Sequence, residues 1–301
     1  INTESNGIFV LTGAAGLGKS TLLANYATKL RGKKHKVYAR FCGASNLSAE
    51  QYSLWKSIFD EAGIDCPPTM DEIRRDIAKL FKKLSGIVLI DAVNQLPNGL
   101  DMLSWLPSVL STDLKLIISL KEDEESAQVI EKIKASGATV ASVLPFSSDD
   151  DKEKLINAYL ERYLKSLDIP HIKSICRTPA SQNPLYLKII LSELRIFGDF
   201  KKLDDEINKF GASPLEAFHT VLRRLEKDIA DVKIGPGEAV PFLFGLLACA
   251  RKGLSEDELA YCFSRKFPGI DVTDIRAGIR YYIRQMRPFM ARREGRADYL
   301  Y

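Results

Sequence analysis

Short apolar runs alternate with stretches of helical periodicity through the first half of the chain, and helical periodicity dominates the second half. Ile8-Phe9-Val10-Leu11, Val37-Tyr-Ala-Arg-Phe41, Gly86-Ile-Val-Leu-Ile-Asp91, Leu114-Lys-Leu-Ile-Ile-Ser119 and Ala138-Thr-Val-Ala-Ser-Val-Leu144 read as strands. Uninterrupted apolar runs are the mark of strands buried on both faces, as in a parallel sheet. Between them lie residues 20–30, a segment with Tyr52, Trp55, Ile58 and Phe59 on one face, and another with Ile73, Ile77, Leu80, Phe81 and Leu84. These and residues 124–134 read as amphipathic helices whose stripes are core. Ser48-x-x-Gln51 and Thr69-x-x-Glu72 are capping-box patterns at two helix starts, with Pro67-Pro68 stopping the chain between them. Strands alternating with helices predict a parallel sheet covered on both faces.

Ser147-Ser-Asp-Asp-Asp marks a change to a helix-rich composition. Helices are expected over 152–167, 184–197, 214–232, 240–249, 256–263 and 272–286, with Leu185, Leu187, Ile190, Leu191 and Leu194 inward on the second and Gly235-Pro-Gly breaking the chain before the fourth. Phe289 to Tyr301 reads as a β-hairpin turning at Glu294-Gly295, and helices followed by a hairpin suggest a winged helix. There is no internal repeat and no low-complexity tract.

The stretch that organises the first half is GAAGLGKST, Gly13 to Thr21, which fits G-x-x-x-x-G-K-[ST] with Gly13, Gly18, Lys19 and Ser20 in the fixed positions. It follows an apolar strand and opens a helix, the context that the pattern requires. Glycines allow successive backbone N–H groups to turn inward around phosphates, and the helix aims its positive N-terminal end at them. Gly13, Ala14, Ala15, Gly16, Leu17, Gly18, Lys19, Ser20 and Thr21 are thus expected to cradle a nucleoside triphosphate, with Lys19 on the β/γ-phosphates and Ser20 on Mg²⁺. Asp91 ends an uninterrupted apolar strand, which delivers a carboxylate to the sheet's C-terminal edge. There it can hold the Mg²⁺ shell opposite Ser20, as the Walker B Asp does in P-loop NTPases.

Length and composition bound the remainder. At 301 residues the chain is expected to hold two or three domains. Its net charge of +4 does not by itself require nucleic acid. Five scattered cysteines, with no C-x-x-C pair, read as reduced core thiols of a cytoplasmic protein. Three scattered histidines make no metal site. No apolar run approaches the ~20 residues that span a bilayer, and no signal peptide is visible. A start at Ile1 suggests a piece of something longer.

GAAGLGKST, RFCGASNLS (Arg40 to Ser48), IVLIDAVNQL (Ile87 to Leu96) and NPLYLKIILSELRIFG (Asn183 to Gly198) together resemble the STAND class of signal-transduction NTPases, in its NACHT-like branch. The likeness is to the ATPase core of telomerase-associated, nephrocystin-type and NACHT/WD-repeat proteins and of bacterial antiviral STAND ATPases. It implies an α/β P-loop NTPase domain over 1–147, an all-α helical domain over 148–212 and a winged-helix domain over 213–301, truncated at its C-terminal end. It also implies ATP or ADP with Mg²⁺ held between the lobes, Pro184 near the adenine, and nucleotide exchange that drives homo-oligomerisation when a sensor region outside this chain is triggered. The sequence independently explains Pro184 as a first-turn proline after Asn183.

Two departures from the family pattern bear on chemistry. The NACHT pattern has acidic residues three and four places after the Walker B Asp, where this chain has Asn94 and Gln95. An amide cannot accept a proton from water as a carboxylate does, so slow or absent hydrolysis is expected, with Gln95 at best orienting water. The family's sensor Arg after the fourth strand has no match; Lys121 stands nearby as a substitute without Arg's planar fork. The alternative reading is a DNA-binding initiator or loader ATPase. Arg276, Arg280, Arg284 and Arg287 lie along one helical face and Arg292, Arg293 and Arg296 follow, as phosphate binding would want. A solvated basic face is the commoner use of such a pattern.

Overall fold

The computed structural model describes residues 7–44, 48–107, 109–232, 238–250, 253–286, 292, 293, 299 and 300. The chain divides into two units, residues 1–145 and 146–301.

The first unit is built on a five-stranded parallel sheet in the order β2-β3-β4-β1-β5, from β1 (Ile8–Thr12), β2 (Val37–Phe41), β3 (Gly86–Asp91), β4 (Leu114–Ser119) and β5 (Thr139–Ser142). Side chains alternate across it with period two. Ile8, Val10, Val88, Ile90, Leu116 and Ile118 face one layer, packed on α2 (Gln51–Ala62), α3 (Met70–Lys83), α4 (Gly99–Met102) and α5 (Glu124–Ala135). Phe9, Leu11, Val37, Ile87, Leu89 and Ile117 face the other, packed on Leu23, Ala27 and Leu30 of α1 (Lys19–Gly32). Only the connection leaving β1 crosses on this second face. β1 is therefore the point where the winding reverses, and in such sheets ligands bind outside the carboxyl ends of the strands at that point.

Local chemistry sets the helix starts, with one surprise. The Thr69 side chain accepts from the Glu72 N–H and caps α3 as its pattern predicts. Ser48 does not cap α2: that helix starts at Gln51 after Glu50, and the Ser48 hydroxyl donates instead to the Phe41 carbonyl at 2.6 Å. A buried hydroxyl takes whichever orphan acceptor lies nearest, and here that is the end of β2. Residues 45–47 of the RFCGASNLS stretch lie outside the described residues. Trp55, fully buried, packs against Phe59, Phe81 and Trp105 at centroid separations of 5.4–6.3 Å.

The second unit is helical: α6 (Asp149–Glu161), α7 (Ile169–Arg177), α8 (Pro184–Leu194), α9 (Leu203–Asn208), α10 (Pro214–Val232), α11 (Ala239–Cys249), α12 (Glu256–Lys266) and α13 (Val272–Met286). The helix expected over 152–167 ends early, because Leu164 takes a left-handed φ of 54°. One apolar cluster runs through the unit from Ile156 to Met286. At its centre α8 buries Tyr186, Leu187, Ile189, Ile190, Leu191 and Leu194. Asn183 caps α8 by accepting from the Leu185 N–H, and Pro184 fills the first position, where no N–H is needed. Three short strands, β6 (Leu254–Ser255), β7 (Arg292–Arg293) and β8 (Tyr299–Leu300), pair antiparallel in the order β6-β8-β7. The predicted turn at Glu294-Gly295 lies outside the described residues, as does the break at Gly235-Pro-Gly.

A polar link crosses this apolar core. Arg224 of α10 grips both carboxylate oxygens of Glu193 on α8, which is buried, and donates to Asp228 at 2.5 Å. The Tyr281 hydroxyl of α13 donates to the same Asp228 oxygen at 2.9 Å. Removing the guanidinium leaves a buried carboxylate without its counter-charge, a loss of about 3–5 kcal/mol. Arg224→Ala is expected to lower the urea midpoint followed by far-UV circular dichroism, with hydrogen exchange accelerated in α8, α10 and α13. An unchanged midpoint would show that the link contributes nothing to stability.

Candidate phosphate-binding loop and its acidic partner

Residues 13–18 turn from β1 into α1 at the reversal point of the sheet. Gly13 takes a φ of +143°, and a Cβ there would stand 2.8 Å from the Val143 carbonyl oxygen, so the loop can begin against β5 only with glycine. Gly18 is the N-cap of α1 at φ 89°, a left-handed conformation that a side chain strains. Leu17 is buried and anchors the loop, while Ala14 and Ala15 are exposed. Ser20 and Thr21 are exposed in the first turn of α1. The helix has no acidic residue in that turn, so nothing on it competes with an anion for its N-terminal end.

Lys19 folds back over the loop. Its ammonium donates to the Gly13 carbonyl at 2.7 Å and to the Ala14 carbonyl at 2.9 Å. Burial lowers its pKa below the ordinary lysine value, while the charges of Asp91 and Glu122 pull it back up. The lysine therefore lies within electrostatic reach of both carboxylates.

Asp91 ends β3, 4% exposed. Its Oδ1 accepts from the Ser119 hydroxyl at 2.5 Å, and Ser119 in turn accepts from the Ala92 N–H at 2.7 Å. Ser119 is the last residue of β4, the strand between β3 and β1, and is completely buried. One hydroxyl thus orients the carboxylate and secures the turn after it, where Ala92 is left-handed at φ 53°. Cys42 adjoins this corner, its N–H donating to the Asp91 carbonyl at 3.1 Å. Burial, then the Asp91 charge, pushes its thiol up to about 12, so it is an inert core thiol rather than a nucleophile.

The segment after β4 is strapped to both motifs by three successive amides. The Leu120 N–H donates to the Leu11 carbonyl at 2.9 Å, Lys121 N–H to Asn94 Oδ1 at 3.1 Å, and Glu122 N–H to the Gly13 carbonyl at 3.1 Å. The sequence reading missed this strap and Ser119's part in it. The chain carries no local signal for it, because Ser119's part depends on β4 pairing with β3.

The structure thus brings together Gly13, Ala14, Gly18, Lys19, Asp91 and the segment bearing Lys121. It places the other expected residues as follows. Lys121 directs its ammonium to Asp123, the N-cap of α5, at 3.1 Å. Gln95 is exposed, and its Oε1 lies over Gly43 beyond β2, on the far side of Asp91 from the loop. Pro184 belongs to the second unit, where it opens α8.

The basic face of α13 is partly neutralised within its own unit. Arg276 pairs with Asp257 at 2.6 Å and Arg280 with Glu256 at 3.2 Å, both acids lying in the first turn of α12. Arg284 is exposed. Arg287 and Arg296 lie outside the described residues, and only the backbone of Arg292 and Arg293 is described.

Residues 2–130 match the family model described as an AAA domain. A TPR repeat-containing protein from Dictyostelium discoideum is 27% identical over 146 residues, which is 47% of this chain and 8% of that protein. Among solved structures, AMPPCP-bound DnaA from Aquifex aeolicus is 14% identical with a TM-score of 0.45, over 94% of this chain and 83% of that one. The Aeropyrum pernix ORC1 protein in complex with DNA is 13% identical with a TM-score of 0.44, over 98% of this chain and 82% of that one. No helix among the described residues is long and apolar enough to cross a membrane. The first unit carries a P-loop ATPase domain of AAA type.

Proposed function

We propose that this chain is the ATP-operated switch of a longer signalling protein, a STAND-type ATPase that hydrolyses its nucleotide slowly. The observation that carries the reading is the fold of Lys19 over the carbonyls of Gly13 and Ala14. Two of its three ammonium protons are satisfied there, which leaves the third to a phosphate lying in the loop.

The residues present also fit a divalent cation. Asp91 is buried, and among the described residues its hydrogen-bond partner is Ser119 on Oδ1, so Oδ2 remains to face a hydrated ion. Ser20 offers an exposed hydroxyl from the first turn of α1. These two would hold Mg²⁺, which when bound neutralises charge on the β- and γ-phosphates. The chain's own groups do the rest. The loop amides orient the phosphates, Lys19 offsets their charge, and Ser119 keeps the Asp91 carboxylate aimed.

A switch needs a difference between the ATP and ADP states, and the γ-phosphate supplies it at Lys19 and at the 120–122 strap. The second unit is read as a helical part over 148–212 and a winged-helix part over 213–301. The helix–strand–helix–helix order around β6 and the β6-β8-β7 pairing support that reading. The 8% share of a TPR repeat-containing relative supports an ATPase module set in a much longer repeat protein, with the trigger acting on that remainder and oligomerisation as the output. The DNA reading draws on the exposed Arg284, while the pairing of Arg276 and Arg280 with α12 takes two cations away from it.

Two variants test this. Lys19→Ala is expected to weaken binding of a fluorescent ATP analogue by roughly 10–150-fold, the worth of a charge-assisted hydrogen bond of about 1.5–3 kcal/mol, and to strip any copurifying nucleotide. Unaltered affinity and nucleotide content would sink the proposal. Ser119→Ala is expected to leave metal-free nucleotide binding intact and to raise the Mg²⁺ concentration needed for tight binding by about 10–100-fold, as loss of a group that orients a metal ligand does. A Mg²⁺ titration that superimposes on wild type would remove Asp91 from the metal site.

A further inference from the structure

We propose that Glu122 is the carboxylate that activates water in this site, in place of the acidic residues absent after Asp91; the inference rests on the nucleotide-site reading above. The Asp91 strand is followed by Ala92-Val93-Asn94-Gln95, and both amides are directed elsewhere. Asn94 Oδ1 accepts from the Lys121 N–H, and Gln95 Oε1 lies over Gly43. Neither position supplies a proton acceptor.

Glu122 reaches the site from another strand. Its backbone N–H and the Lys19 ammonium converge on one atom, the Gly13 carbonyl oxygen, at 3.1 and 2.7 Å. That shared acceptor fixes residue 122 beside the phosphate-binding lysine. The neighbours on either side are committed, since Lys121 and Asp123 pair with each other and Asp123 also caps α5. The Glu122 side chain is exposed, and among the described residues its carboxylate makes no hydrogen bond or ion pair. Lys19 nonetheless feels its charge. A carboxylate whose backbone is fixed beside the loop and which has no structural task is what in-line attack on the γ-phosphorus needs.

The step balances simply. The water oxygen forms a bond to the γ-phosphorus as the bond from that phosphorus to the β–γ bridging oxygen breaks, its electron pair leaving on the diphosphate. The water proton passes to Glu122, which returns it to the inorganic phosphate. The strap fixes the backbone that carries this side chain: Asn94 holds the N–H of residue 121 and Gly13 that of residue 122.

The test compares the whole chain with Glu122→Gln and Glu122→Ala under single-turnover conditions, alongside affinity for a fluorescent ATP analogue and the ATP-to-ADP ratio of copurified nucleotide. Loss of a general base lowers the chemical step by about 10²–10⁴-fold. The expected result is a fall of that size in both variants, affinity within about threefold of wild type, and a shift of bound nucleotide from ADP toward ATP. Wild-type rates in the variants would overturn the proposal, as would a parallel loss of affinity, which marks Glu122 as a binding or structural residue. A wild-type chain that binds ATP without ever cleaving it would overturn this inference alone. A wild-type chain that binds no nucleotide would overturn the switch reading with it.

Discussion

A carboxylate buried at the end of a central strand is the constraint around which the first unit is arranged. Burying Asp91 costs several kcal/mol unless partners replace the water it gives up. Ser119 supplies a donor from the adjacent strand, and Lys19 supplies the opposite charge from two strands away. Both depend on strand order. With β4 between β3 and β1, the serine stands next to the aspartate, one strand away from the strand that leads into the loop. Had β3 and β1 been direct neighbours, about 4.8 Å apart, Ser119 would have had no place between the lysine and the aspartate. The sheet order and the side chains at its carboxyl edge are one arrangement seen at two scales.

Much of that arrangement was legible from residue pattern. Five strands, the helices between them, the phosphate-loop geometry and the Asp91 corner all follow from rules of short range: apolar runs, capping residues and glycines at fixed offsets. What escaped was set by pairing across the sheet. Nothing near Ser119 in the chain says that β4 lies beside β3 rather than at an edge, so its role was invisible until the register was known. Ser48 shows a different limit. Its spacing to Gln51 fits a capping box, yet the buried end of β2 offered its hydroxyl a better acceptor. The arginine row of α13 fits a phosphate-binding face in sequence, but the acids that pair with Arg276 and Arg280 come from another helix. Periodicity finds a face; it does not find what stands opposite.

The two units each bury a carboxylate, and the two are satisfied differently. Glu193 is matched in full: Arg224 covers both its oxygens, and Asp228 and Tyr281 complete the guanidinium's surroundings. Such a cluster has no coordination left for a ligand, and a rearrangement there breaks several charge-assisted bonds together. Asp91 is matched in part, by a neutral hydroxyl on one oxygen and by a lysine within electrostatic reach whose ammonium is bonded to carbonyls instead. Partial satisfaction suits a carboxylate whose second oxygen, in the proposed switch, faces a hydrated cation. The same reasoning separates Glu122 from Asp123. Asp123 is held by Lys121 and the Ser126 N–H and has a structural task, whereas Glu122, one residue away, has its backbone fixed and its carboxylate unassigned. The N–H of residue 122 continues the β1–β4 ladder at Gly13, and in the proposal above the exposed side chain carried by that rung works on a phosphate.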